Sequence, residues 1–269
     1  MKTLLESASS LDRGLECPTS NQLEQSAPQH PNSAEAAAWG TAGHTVLEYG
    51  IEEGAAVLER IEQRHRQRAA EVLSLINRTA AKGTRLEDRE VSFVYRGETG
   101  TAEVIGRNVN RRYDEALMER GMAPRGPLDI TCTLDVVRVG YLSVEINDYK
   151  FGKWVGEPNK AAQLLFAAMV VVKALAPKAL WVIVNFQRIR EDLRRKPEDR
   201  WQVKDKPALL TREDIDLFER RVKRALVKAQ QIAEDIKAGK DPEVNPGEHC
   251  RFCPSRTSCS DWLSKNKEK

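Results

Sequence analysis

The chain has 269 residues, 41% hydrophobic and 31% charged, which is enough for one substantial core or two small ones. Its 43 basic and 40 acidic residues leave a net charge of +3, so charge alone neither indicates nor excludes a nucleic-acid partner. The longest apolar run, Leu164 to Val172, is nine residues long, well short of the ~18–20 a membrane span needs.

Leu4-Leu5 is followed at once by Glu6 and polar residues, so no secretory leader is expected and the cytoplasm is the expected compartment. Five cysteines is an odd count, and in a reducing compartment it favours metal or cluster ligation over disulfides.

In chain order, Ser7 to Gln25 reads as a short polar segment centred on Cys17-Pro18. Ser33 is a good N-cap for a helix from Ala34 to about Glu52, and a charged helix follows over roughly Ala55 to Ala81. Val91 to Tyr95 reads as a strand and Arg111 to Arg120 as a helix. Ile130 to Val139 and Leu142 to Tyr149 are β-rich runs separated by Gly140-Tyr141. Lys160 to Leu175 reads as an apolar helix and Leu180 to Phe186 as a buried strand. Arg188 to Arg200, with six basic and four acidic residues, reads as an exposed linker. Thr211 caps an amphipathic helix running to Lys240, with Ile215, Leu217, Phe218, Val222, Leu226 and Ile232 as its apolar stripe.

The stretch TCTLDVVRVGYLSVEINDYKFG, Thr131 to Gly152, carries the strongest chemical signal. A four-residue loop, Gly140 to Ser143, sets Val139 against Val144, the opposite charges Arg138 and Glu145 against each other, and Asp135 against Asp148. Asp135, Val137, Val139, Val144, Ile146, Asp148 and Lys150 then share one face. A tight turn at Val139-Gly140 would instead separate the aspartates by about 13 Å, too far to share an ion. Clustered carboxylates are hard ligands for Mg²⁺ or Mn²⁺, and an adjacent lysine can orient an attacking water or stabilise developing charge. His44 lies in the alanine- and glycine-rich Gly40-Thr41-Ala42-Gly43-His44, where small neighbours allow close approach, and an imidazole beside carboxylates suits manganese.

Cys250-x₂-Cys253-x₅-Cys259 has metal-site spacing, and Cys17 can supply a fourth thiolate, for structural zinc or a 4Fe-4S cluster. Either would staple the two chain ends together. His249 is a substitute ligand under the zinc reading, and Cys132 reads as a small buried hydrophobe.

Taken in order, these pieces resemble the RecB-type, iron–sulfur branch of the PD-(D/E)XK nuclease superfamily and its phage and prophage relatives. The matching elements are Cys17-Pro18, Gly40 to His44, Thr133-Leu134-Asp135, Asp148-Tyr149-Lys150, Gln163, and Cys250, Cys253 and Cys259. The resemblance implies a single α/β domain over residues 1–269 with a restriction-endonuclease-like core, a mixed central sheet flanked by helices, and helical additions. The core would span 130–186, the long C-terminal helix 211–240, and a cysteine cluster region 7–25 and 245–262.

It further implies that His44, Asp135 and Asp148 bind Mg²⁺ or Mn²⁺, that Lys150 positions the attacking water, and that Gln163 arranges the lysine or the DNA end. Cys17, Cys250, Cys253 and Cys259 would hold the 4Fe-4S cluster. The expected activity is exonucleolytic hydrolysis at DNA ends in phage recombination or repair, with a recombination or single-strand annealing protein as a family-level partner and no membrane. Two rivals are a catalytically silent DNA-binding module of the same fold and a zinc-stapled adaptor. The family helix often reads Q-x-x-x-Y, but position 167 is Ala167, which leaves Phe166 as the neighbouring aromatic.

Overall fold

The computed structural model describes residues 4–5, 7–23, 44–45, 67, 71, 86–107, 109, 112–151, 161–191, 201–247, 249–250, 253, 255 and 259–261. The proposed helices over Ala34–Glu52 and Ala55–Ala81 lie mostly outside these residues. Those described within them, His44, Thr45, Gln67 and Glu71, are helical.

Six strands, β1 (Leu86–Arg96), β2 (Thr101–Arg107), β3 (Ile130–Val139), β4 (Ser143–Phe151), β5 (Trp181–Glu191) and β6 (Trp201–Thr211), form one sheet in the order β2-β1-β3-β4-β5-β6. Every neighbouring pair is antiparallel except β4 and β5. That parallel pair needs a crossover, which is a helix, α3. The helices whose ranges fall among the described residues are α1 (Leu11–Glu16), α2 (Tyr113–Glu119), α3 (Ala161–Ala174) and α4 (Arg212–Lys237). Among the described residues no helix is long and apolar enough to cross a membrane.

The β3–β4 hairpin takes the register expected from its loop. Gly140 N–H donates to Ser143 O, and the ladder runs Val139–Val144, Arg138–Glu145, Val137–Ile146 and Val136–Asn147. Arg138 Nη1 lies 3.1 Å from Glu145 Oε1, the cross-strand ion pair that favours this register over the tight turn.

α3 is buried from Phe166 through Val172, as an apolar run this dense requires, with its core neighbours drawn from the sheet, α1 and α4. α4 buries Ile215, Phe218, Val222, Leu226 and Ile232 along one stripe. Leu217, expected in that stripe, is 57% exposed, because it stands one position out of the helical phase set by Phe218. Thr211 caps α4 through a reciprocal box with Asp214. Tyr95 on β1 donates to Glu219 on α4, which also pairs with Lys173 on α3, so one half-buried polar knot ties sheet and helices.

α2 covers the sheet through a second, smaller core of Val94, Ile105, Val109 and Leu117. Gly97 is required before it, since a Cβ there would meet Leu128 O at 2.2 Å. Behind α2, Arg125 grips Asp114 with two hydrogen bonds of 2.8 Å and lies over the Tyr113 ring. The Arg125 hydrogen bond is the main reason the Asp114 carboxyl is lowered to about 2. A depressed carboxyl stabilises the fold above its ordinary range near pH 4, and that stability is lost as pH falls through about 2. Because Asp114 is 38% exposed, Asp114→Asn should cost only about 0.5–1 kcal/mol at pH 7 and nothing near pH 2, read from urea melts at both pH values.

One expectation needs correction, and two features were not anticipated. Residues 188–191 of the supposed linker continue β5, and Trp201–Thr211 forms edge strand β6, whose lysines and Pro207 suit an edge. Residues 192–200 lie outside the described set. β2 was not expected at all, because Ile105 is its only buried residue and supplies too weak an apolar signal. The N-terminal segment, polar in composition, is nonetheless largely buried: Leu11 and Asn21 are fully buried and Ser20 is 3% exposed. Several of its polar groups are paired, by Arg13 on Ser20 and on the Asn21 side-chain oxygen and by Ser255 on the Ser20 carbonyl, while the buried Asn21 Nδ2 has no hydrogen-bond partner among the described residues.

Candidate metal-dependent hydrolytic site

The end of the β3–β4 hairpin away from its loop carries the acidic residues. The ladder ends at the Val136–Asn147 pair, and Asp135 and Asp148 are the first residues beyond it on the two strands. Asp135 Oδ2 accepts the Tyr149 N–H at 2.6 Å, so a side chain takes the place of a backbone acceptor there. Both aspartates are buried, at 6% and 7% exposure, and both line a cavity with Cys132, Ile146, Gln163, Leu164 and Ala167.

Strand alternation is interrupted at this point. Cys132 and Leu134 join the same core as Val137, although they are an odd number of residues from it. Opposite this break, between the pairs Arg89–Val136 and Val91–Leu134, sits Glu90 with φ +47°. A left-handed backbone costs a non-glycine residue about 1 kcal/mol. Here it accompanies a Glu90 carboxylate placed beside Asp135. His44 Nδ1 lies 3.4 Å from Asp135 Oδ1 and 3.6 Å from Glu90 Oε1, and donor atoms of these three residues all lie within 4.8 Å of one another.

This set differs from the expected one. His44 and Asp135 come together as anticipated, Glu90 joins them unanticipated, and Asp148 stands beside the group rather than inside it. Only the β1–β3 pairing reveals Glu90; its one sequence trace is an acid directly before the apolar run Val91–Tyr95.

The electrostatics follow from crowding. Burial alone would lower the His44 pKa, but the charge and hydrogen bond of Asp135, then Glu90, push it up to about 10. Asp135 is held below the usual carboxylate range by His44 and then Lys150, against the opposing effect of burial. Lys150 Nζ is 2.8 Å from Asp148 Oδ1 and 2.7 Å from Oδ2. Burial opposes its charge, but Asp148 and Asp135 outweigh that and raise its pKa, so it is an ammonium rather than a free base. Gln163 Nε2 approaches Asp148 Oδ1 at 3.4 Å, and its Oε1 is buried without a hydrogen-bond partner among the described residues. Phe166 does not replace the missing aromatic at position 167, because it is fully buried edge-on against Tyr95 at 6.1 Å.

One imidazole and several carboxylate oxygens fit Mn²⁺ or Mg²⁺. A separate cavity is lined by Cys17, Cys250, Cys253, Cys259 and His249, so the chain ends do bring these side chains together. Gly247 N–H donates to Cys250 Sγ at 3.3 Å, and the buried His249 Nε2 has no hydrogen-bond partner among the described residues. Burial pushes the Cys253 thiol up, and the neighbouring Cys17 and Cys250 add to that. Such a donor set fits a thiophilic metal or cluster. Cys132 is buried, with its thiol pushed up by burial, and is inert.

A mixed sheet with a parallel β4–β5 pair and a buried crossover helix fits a restriction-endonuclease-like α/β core, and the acid–lysine set at one end of the hairpin can hold a divalent ion beside a cation. The profile of the PD-(D/E)XK nuclease superfamily matches residues 6–260, and the chain belongs to that superfamily. It is thus a metal-dependent nuclease by family, with DNA the implied substrate. No curated protein matches its sequence.

Proposed function

We propose that this protein is a Mg²⁺- or Mn²⁺-dependent exonuclease acting on DNA ends in phage recombination or repair. The observation that carries the chemistry is the His44–Glu90–Asp135 donor group beside the Asp148–Lys150 pair. His44, Asp135 and Asp148 would hold the ion, with Glu90 added from the β1–β3 pairing. When bound, the ion polarises a phosphoryl oxygen and lowers the pKa of an attacking water. Lys150, fixed by both oxygens of Asp148, presents a cation to the charge that develops on phosphate. Gln163 steadies Asp148. The reading of end dependence and phage context rests on the resemblance of Gly40 to His44, Asp135, Asp148-Tyr149-Lys150 and Gln163 to the RecB-type branch. The four cysteines around one cavity support a 4Fe-4S cluster binding the chain ends. A recombination or single-strand annealing protein is the proposed partner, and the cytoplasm the proposed compartment.

Digestion of end-labelled linear and closed circular DNA with Mg²⁺ or Mn²⁺ tests this directly. Loss of the linear form alone is expected. Cutting of closed circles overturns the exonuclease assignment, and no ion-dependent loss of either form overturns the nuclease.

The imidazole adds a pH prediction. With its pKa raised from 6.5 to about 10, His44 contributes stability to the ion-free protein below about pH 6.5, and that contribution is lost as pH rises through about 10. An ion ligated by His44 must displace this proton. Mn²⁺ binding at pH 7–8 should therefore release about one proton and tighten with rising pH, measured by calorimetry in two buffers of different ionisation enthalpy. Binding without proton release would remove His44 from the ligand set.

A further inference from the structure

We propose that Asp12 is a positioning residue that fixes the N-terminal turn of α3, and through it Gln163, against the catalytic hairpin. The first-turn N–H groups of any helix lack partners within the helix, and the first turn of α3 holds no acid of its own. The partner comes from 150 residues away: Ala162 N–H donates to Asp12 Oδ1 at 3.0 Å. A carboxylate there also meets the positive end of the helix dipole. The next residue is Gln163, whose amide reaches Asp148 Oδ1 at 3.4 Å. That contact is already near the limit of a hydrogen bond, so a small shift of the helix end breaks it.

Asp12 is itself held firmly. It lies on α1, which runs directly into Cys17, and the Cys17 N–H donates to Arg13 O at 2.8 Å. Asn245 Nδ2 donates to Glu16 O at 2.9 Å, and Gln22 Nε2 to Leu4 O at 2.9 Å. Leu11, the neighbour of Asp12, is fully buried in the core that contains Phe166. The segment carrying the first cysteine is thus bonded to the helix that carries Gln163.

The proposal rests on the nuclease reading only for its activity readout, and the test keeps the two apart. Hydrogen exchange of the α3 first-turn amides is compared among wild type, Asp12→Ala and Asp12→Asn. Asn keeps an oxygen acceptor, so exchange within about twofold of wild type is expected for it, against about tenfold faster exchange for Ala. In cleavage assays Asp12→Ala should lower kcat about tenfold, leave the KM for DNA and Mn²⁺ affinity unchanged, and lose its effect in a Gln163→Ala background. Unchanged exchange in Asp12→Ala, or a full Asp12→Ala effect without Gln163, overturns the positioning role. If Asp12→Ala does not fold, Asp12→Leu, similar in size but without an acceptor, takes its place with the same expectations. A wild type that binds Mn²⁺ but does not cleave refutes the nuclease alone, because exchange still decides the positioning.

Discussion

Lys150→Ala is expected to slow DNA cleavage by ~10²–10⁴-fold at saturating ion and DNA, while Mn²⁺ still binds. The ammonium contacts both oxygens of Asp148 and feels Asp135, and these acids keep it charged despite burial. It therefore acts by orienting water and opposing developing charge, with no place among the ion's ligands. DNA affinity should change little, because one ammonium is a small part of a many-contact phosphate footprint. Asp135→Ala should behave differently, with ion affinity and turnover collapsing together. It also strips the Tyr149 N–H of its acceptor, an added stability cost of about 1–3 kcal/mol. Asp135→Asn keeps an acceptor and separates the two effects. Glu90→Gln should weaken Mn²⁺ binding without touching the Tyr149 contact. Mn²⁺ titration and single-turnover cleavage on the same samples make the distinction. Cleavage by Lys150→Ala at the wild-type rate would reduce Lys150 to an ordinary strand lysine.

Replacing any one of Cys17, Cys250, Cys253 or Cys259 with serine should release iron and unfold the join between the chain ends. The loss should be large against the ~5–15 kcal/mol of a whole domain, because a metal site assembled only on folding adds its binding free energy to stability. The residues around the cavity depend on that join: Thr19 hydroxyl donates to Glu243 O, and Ser255 hydroxyl to Ser20 O. Cys132→Ser should keep iron, since Cys132 lies in β3 and lines the other cavity. Iron content and thermal melts after anaerobic purification decide it. Stoichiometric zinc without iron would sink the cluster and leave only the staple.

The hairpin was legible because all its determinants are local. Its loop length and the Arg138–Glu145 pair fix the register within 22 residues, and that register leaves Asp135 and Asp148 next to the last ladder pair, Val136–Asn147. The helix α3 and the start of α4 were legible for the same reason: one is a dense apolar run, and the other begins at a capping box, although α4 ends at Lys237 rather than Lys240. Strict alternation was less reliable. It held from Val137 to Val139 but not back through Leu134, where the strand shifts phase opposite Glu90.

By itself the sequence determined the elements and chemistry carried by short-range patterns: the aspartate hairpin with Lys150, the apolar crossover helix, the capped amphipathic helix and the spaced cysteines. Tertiary structure alone decided what depends on pairing between distant segments. Edge strands β2 and β6 owe their place to neighbours rather than to apolar content, so composition hides them. Glu90 meets Asp135 only because β1 pairs with β3, setting together residues 45 positions apart in the chain, and Asp12 meets Ala162 only because the N-terminal segment docks on α3. A polar residue is read from sequence as solvent-facing; Thr19 and Ser20 are buried because distant partners, the Glu243 carbonyl and the Ser255 hydroxyl, replace the water they give up.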